Sequence, residues 1–309
     1  MKNHEDLRSL ANYFIDKQKR AKERLKSRRE NAWHFGLIDF KSSIQEGYCV
    51  IPETIYLEPV IEPPGEIDLA RALIRKELLS PVARYSRKID YELVVISEDG
   101  QAAFNMAWWA IGLLRIKSNA DFLVPVTANY SWSSIAGLDD SACAVTLLED
   151  VPRAHSIGDP RTVEKAHLDW MGSHITGYAS LLENASFRLA VDALTTHQHQ
   201  SNTRMMVAML WSGIEALFNI HSEISFRLAI YIATVTEEAG PKRKSAYDKV
   251  KKLYGIRSKA VHGGKLTDTQ ALEHILNIRV ILSKILITYI EKEFIPTEEW
   301  IESELFGCH

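Results

Sequence analysis

Apolar residues recur at helical spacing through the first segment, LRSLANYFIDKQKRAKERLKSRRENAWHF, where Leu7, Leu10 and Phe14, continued by Ala21 and Leu25, mark one face of a helix. Its polar remainder, Lys17 to Arg29, is strongly basic and reads as a solvated face or as a contact for nucleic acid. The period then shortens. YCVIPETIYLE (48–58) is β-branched and aromatic with a proline inside, which predicts an edge strand or two short strands. IDLARALIRKELL (67–79) predicts a short helix ended by Ser80 and Pro81. IDYELVVIS (89–97) is a strand signal, FNMAWWAIGLLRI a buried helix with Trp108 and Trp109 in the core, and DFLVPVTA and ACAVTLLED are strands around a polar loop.

Beyond PRAHSIGDP the strand signals stop. Helical patterns follow at about 162–185, 187–199, 203–219, 224–238, 242–261, 269–292 and 298–305. The third, RMMVAMLWSGIEALF, is apolar almost all round, as a central bundle helix is. The fold class expected is therefore α+β: a mixed α/β domain over 1–160, with a sensing or regulatory role, then an all-α helical bundle over 161–309.

Composition adds exclusions. A net charge of -3 provides no global field for steering a polyanion, so any such site is local. No apolar run approaches the ~18–20 residues of a membrane span. The polar, acid-bearing start is unlike a secretory leader, so a cytoplasmic protein that does not engage a membrane is expected. Cys49, Cys143 and Cys308 are too few and too scattered for a disulfide framework or a zinc knuckle, and reduced thiols are expected. No cofactor or metal is expected: His197 and His199 are two apart, and His167 and His174 show no third ligand.

The stretch that can carry chemistry is YGIRSKAVHGG. Arg257 and His262 stand five positions apart, so on an ideal helix their directions differ by about 140°. Both reach one phosphate only if the arginine curls round the helix or the helix unwinds near Gly263 and Gly264, which suit a left-handed cap. A guanidinium grips phosphate oxygens as charge builds, and an imidazole moves a proton near neutral pH. RNA brings its own 2′-hydroxyl nucleophile, so phosphodiester cleavage requires no metal. A surface ion pair for Arg257 and a helix-end cation for His262 account for the same spacing. Glu215, inside an apolar helix, is expected to pair with Arg257 or Arg227, or else to sit at a helix edge facing water. Tyr254 and Lys259 flank the motif and are candidates for RNA contact or for packing and surface roles.

WSGIEALF, ISFRLAIYIA, YGIRSKAVHGG and the long helix ALEHILNIRVILSKILITYIEK together resemble the HEPN domain, in its ApeA-like branch, over about 165–293. Arg257, four intervening residues and His262 match the family's spacing. The resemblance implies a metal-independent endoribonuclease of a toxin or antiviral defence type. Its cleft would form at a homodimer interface, with Arg257 on the scissile phosphate and His262 in proton transfer. It also implies RNA as partner, and an inhibitor, trigger or defence-system partner to restrain the activity. Ser258 departs from the Asn, Asp or His often found there in the family, although its hydroxyl can still hydrogen-bond. The alternative is a non-catalytic HEPN-like module that binds nucleic acid, nucleotide or protein and serves to oligomerise.

Overall fold

The computed structural model describes residues 2–139, 141–149, 161–220, 222–261 and 267–307. It is α+β and divides into two compact units. The first comprises Met1–Trp108, Phe122–Val151 and Thr162–Asp169; the second is built on Trp109–Asp121 and Trp170–His309.

The first unit is organised by a six-stranded antiparallel sheet. Its strands are β1 (Ala32–Ile38), β3 (Tyr48–Ile51), β4 (Ile55–Pro59), β5 (Ile89–Ile96), β6 (Leu123–Ala128) and β7 (Val145–Leu147), in the order β3-β4-β5-β1-β6-β7. Of the two readings of 48–58, two short strands are present, β3 and β4, paired as an antiparallel hairpin with Pro52 in its turn. The two-residue strands β2 (Lys41–Ser42) and β8 (Thr162–Val163) form a separate parallel pair, a small strand element beyond the point where sequence signals stop.

The central strand, β1, falls where the sequence predicts helix through residues 32–35. Helix α1 (Lys2–Leu25) ends sooner, and Asn31 takes a left-handed conformation (φ 52°) that turns the chain into β1. Phe35 and Leu37 are then buried between β5 and β6, a setting that overrides the helical period. On α1 the expected apolar face divides: Ala21 is buried, but Leu10 and Phe14 are exposed. Most of its basic run is exposed, as a solvated face is, but Lys17 is buried on Asp68 at 3.0 Å, and Arg20 and Arg24 both pair with Glu62. The helix expected over 67–79 stops at Ala72 as α2 (Glu66–Ala72). Ser80 and Pro81 open α3 (Leu79–Ser86) instead of ending a helix, because proline is tolerated in a first turn whose N–H groups lack partners.

Gly137 lets α1 approach the 131–138 loop closely. A Cβ there would lie 2.6 Å from the Lys22 backbone nitrogen and 2.7 Å from the Ala21 carbonyl carbon. Backbone cannot yield as a side chain does, so Gly137→Ala is expected to destabilise the protein by about 1–3 kcal/mol in urea unfolding. An unchanged midpoint would show that α1 moves aside without cost.

Helix α4 (Gly100–Ser118) stands where the buried helix is expected and buries Ala107, Ala110, Ile111, Leu113 and Leu114, but Trp108 and Trp109, expected in the core, are only partly buried. The remaining helices are α5 (Lys165–Leu181), α6 (Ala185–Thr196), α7 (Thr203–Phe218), α8 (Ile224–Thr236), α9 (Pro241–Val261), α10 (Asp268–Lys292) and α11 (Glu298–Phe306), close to the seven predicted. In the second unit α7 is central, burying Met206, Leu210, Trp211 and Ile214 among α6, α9 and α10. Gly213 permits the α6 contact, since a Cβ would meet that of Ala193 at 2.8 Å. A left-handed Asn219 ends α7, and a Thr267/Gln270 capping box starts α10. Asp121 and Arg279 form a bidentate ion pair at 2.6 and 2.8 Å, and Asn119 accepts from Ser283, which fastens Trp109–Asp121 into this unit. Among the described residues, no helix is long and apolar enough to cross a membrane.

Candidate functional site

Helix α9 carries eight lysines and arginines against one acid, Asp248. Most point to solvent, but Arg257 lies on the inward face beyond Val250 and Leu253 and meets Glu215 of α7. The Arg257 Nη2 is 3.1 Å from Glu215 Oε1 and donates to Oε2 at 3.2 Å. Glu215 thus takes the first of its two expected partners, while Arg227 is engaged by Glu298 and the Tyr231 hydroxyl. Both members are about a quarter exposed, so the pair is reachable from solvent. The Arg257 Nε is buried and bonds no described residue, which leaves the guanidinium with donor capacity beyond Glu215.

Tyr254 forms the next layer. Its ring lies 5.5 Å from the Arg257 guanidinium carbon and edge-on to Trp211 at 5.1 Å. Burial, and then the neighbouring Glu215 carboxylate, push its phenol upward in pKa, so it stays a neutral donor. Trp211 is fully buried and donates its indole N–H to Nε2 of His274 at 3.1 Å. An indole can only donate, so the imidazole holds its proton at Nδ1. Burial lowers the His274 pKa to about 4 and keeps it neutral.

His274 also lines a groove of about 450 Å³ between α9 and α10. Lys249, Lys252 and Lys259 form one wall, and Glu273 and Asn277 belong to the other. Among the described residues none of the three lysines pairs with a carboxylate. They span ten residues, roughly 15 Å of helix. Lys249 and Lys252 are site candidates that sequence reasoning passed over in favour of the basic run in α1; the run KVKKLYGIRSK held the signal.

Of the expected site residues, Arg257, Glu215 and Tyr254 come together, and Lys259 is placed on the groove. Ser258 is exposed, about 100° round the helix from Arg257. His262, with Gly263 and Gly264, lies outside the described residues, and so does the expected unwinding there. His197 is buried with Nδ1 on the Leu194 carbonyl, and His174 stacks on Trp170. Among the described residues no cluster of His, Cys, Asp and Glu has the makings of a metal site. Cys49 and Cys143 are unpaired thiols, and burial raises that of Cys143 to about 12.

The chain matches no family model, no curated protein and no solved structure.

Proposed function

We propose that the chain is a cytoplasmic, metal-independent endoribonuclease of the HEPN type, acting in toxin or antiviral defence chemistry. The observation that carries this reading is the Arg257 guanidinium, partly buried, oriented by Glu215 and with a donor to spare, on a helix that carries eight lysines and arginines against one acid. The lysines attract a single strand through its phosphates. Arg257 stabilises the crowded phosphorane as negative charge builds on its oxygens. His262 transfers the proton between the 2′-hydroxyl and the leaving 5′ oxygen. Two copies of the chain, each giving one Arg257 and one His262, form the composite cleft, and a trigger or inhibitor restrains it in the cell.

The test is direct. Purified protein should cut single-stranded RNA in excess EDTA and leave 2′,3′-cyclic or 3′-phosphate ends, with a native mass twice that of the chain. Intact RNA across many sequences would sink this reading. One observation favours the alternative of a non-catalytic binding module: Arg257 already has a carboxylate partner, which partly neutralises the charge a transition state needs. Tight RNA binding and assembly without scission would establish that alternative.

A further inference from the structure

Two ionisable side chains are buried side by side in the sheet of the first unit. Glu92 on β5 is 1% exposed and His34 on β1 is 4% exposed. Glu92 Oε2 accepts the Trp132 backbone N–H at 2.8 Å, and its Oε1 lies 3.2 Å from His34 Nδ1. That approach lacks hydrogen-bond geometry, and among the described residues neither ring nitrogen of His34 has a hydrogen-bond partner. An imidazole withdrawn from water with both nitrogens unsatisfied is costly in a finished core. It is expected where a ligand completes the set.

The space is there. His34 and Glu92 line a pocket of about 180 Å³, which is also bordered by Arg28, Arg29, Glu58 and Ser131. Five separate stretches of chain converge on it. Its three cations are held in place: Arg24 is on Glu62 and the Ser133 carbonyl, the Arg28 guanidinium lies 4.0 Å above the Tyr130 ring, and that of Arg29 lies 4.1 Å above Tyr56. Arg29 is neutralised by Glu58 at 2.6 Å. Among the described residues Arg28 has no carboxylate partner, and it makes a long 3.4 Å hydrogen bond to the Asn129 carbonyl. A fixed, uncompensated guanidinium at the rim suits a dianionic phosphate. The two carboxylates behind it, Glu58 and Glu92, repel a bare oxyanion but accept hydrogen bonds from hydroxyls, and the His34 imidazole can donate one and accept one. The ligand these groups describe has a phosphate at one end and hydroxyls at the other.

We propose that this pocket binds a small phosphate ester of a hydroxylated carbon skeleton, a sugar phosphate or a mononucleotide, with Arg28 and Arg29 on the phosphate and His34 and Glu92 on the hydroxyls. It gives the first unit a ligand-sensing role that does not depend on the nuclease reading.

Isothermal titration of the full chain with ribose 5-phosphate, adenosine 5′-monophosphate, inorganic phosphate and ribose tests it. At least one ester should saturate at one per chain and bind at least tenfold tighter than either inorganic phosphate or ribose. Tighter binding of the nucleotide identifies a nucleotide site, and equal binding identifies a sugar-phosphate site. Arg28→Ala, at an exposed position that folding tolerates, should weaken the ester at least tenfold, as should Glu92→Gln if it folds. Arg257→Ala should leave it unchanged. Absence of saturation by both esters, inorganic phosphate binding as well as they do, or parental affinity in Arg28→Ala would each overturn the proposal.

Discussion

Arg257→Ala is expected to lower single-turnover cleavage of labelled RNA by about 10²- to 10³-fold, the range seen when one preorganised stabiliser of transition-state charge is removed. Stability should change little, because the Arg257–Glu215 pair is partly solvated and such pairs contribute about 0–1 kcal/mol. The separation of the two effects is what identifies function. Arg257→Lys keeps the charge but loses the planar fork, and should recover only a small part of the rate. Glu215→Gln frees the guanidinium from its counterion while keeping the side chain's shape, and should retain far more activity than either arginine variant. If Arg257→Ala cuts RNA at the parental rate, with circular dichroism confirming its fold, the arginine is a structural ion-pair partner and nothing more.

Acid should weaken the helical unit well before its carboxylates titrate, and the cause is two buried imidazoles. Burial lowers His274 to about 4 and His197 to about 3, against 6.5 for an exposed histidine. Above pH 6.5 neither the folded nor the unfolded chain binds these protons, and their contribution to stability is fully present. As pH falls from 6.5 toward 4, and for His197 toward 3, the unfolded chain takes up protons that the folded chain refuses. Stability is lost through that window and the loss levels off below it. The scale is on the order of 3 kcal/mol per histidine. For His274 the obstacle is visible: a proton on Nε2 would face the indole N–H of Trp211, donor against donor. Urea unfolding at pH 7.5 and pH 4.5 checks this. His274→Gln should lose distinctly less stability between those two conditions than the parent does. Equal losses in both would show that His274 does not set the acid limit.

Much of this was legible along the chain because the helical half obeys its period. The stretches around α7, α8, α9 and α10 show apolar spacing, and each of these helices is present within a few residues of its predicted ends. Arg257 could be named in advance as a candidate partner for Glu215, because a carboxylate amid WSGIEALF is costly without a counterion, but Arg227 and a water-facing position fitted the sequence as well. The strand β1 was not legible. AWHFGLI is short and follows a helical run without a glycine or proline, and only pairing with β5 and β6, more than fifty residues away, makes it extended. The lysine row on α9 was passed over for a different reason. Its residues are unremarkable one by one, and they become a groove only when α10 returns alongside. The same holds for His34 and Glu92, whose proximity is a matter of neighbouring strands and leaves no trace in local spacing.

The tie between Arg279 and Asp121 bears on how this chain can be dissected. The helical half takes thirteen residues from the middle of the sheet-bearing half, so no single cut releases it whole. A fragment starting after residue 160 would carry Arg279 without its acid and Ser283 without its amide acceptor. The helical half is discontinuous along the chain, so its removal by a single truncation would leave part of it behind in the sheet-bearing half.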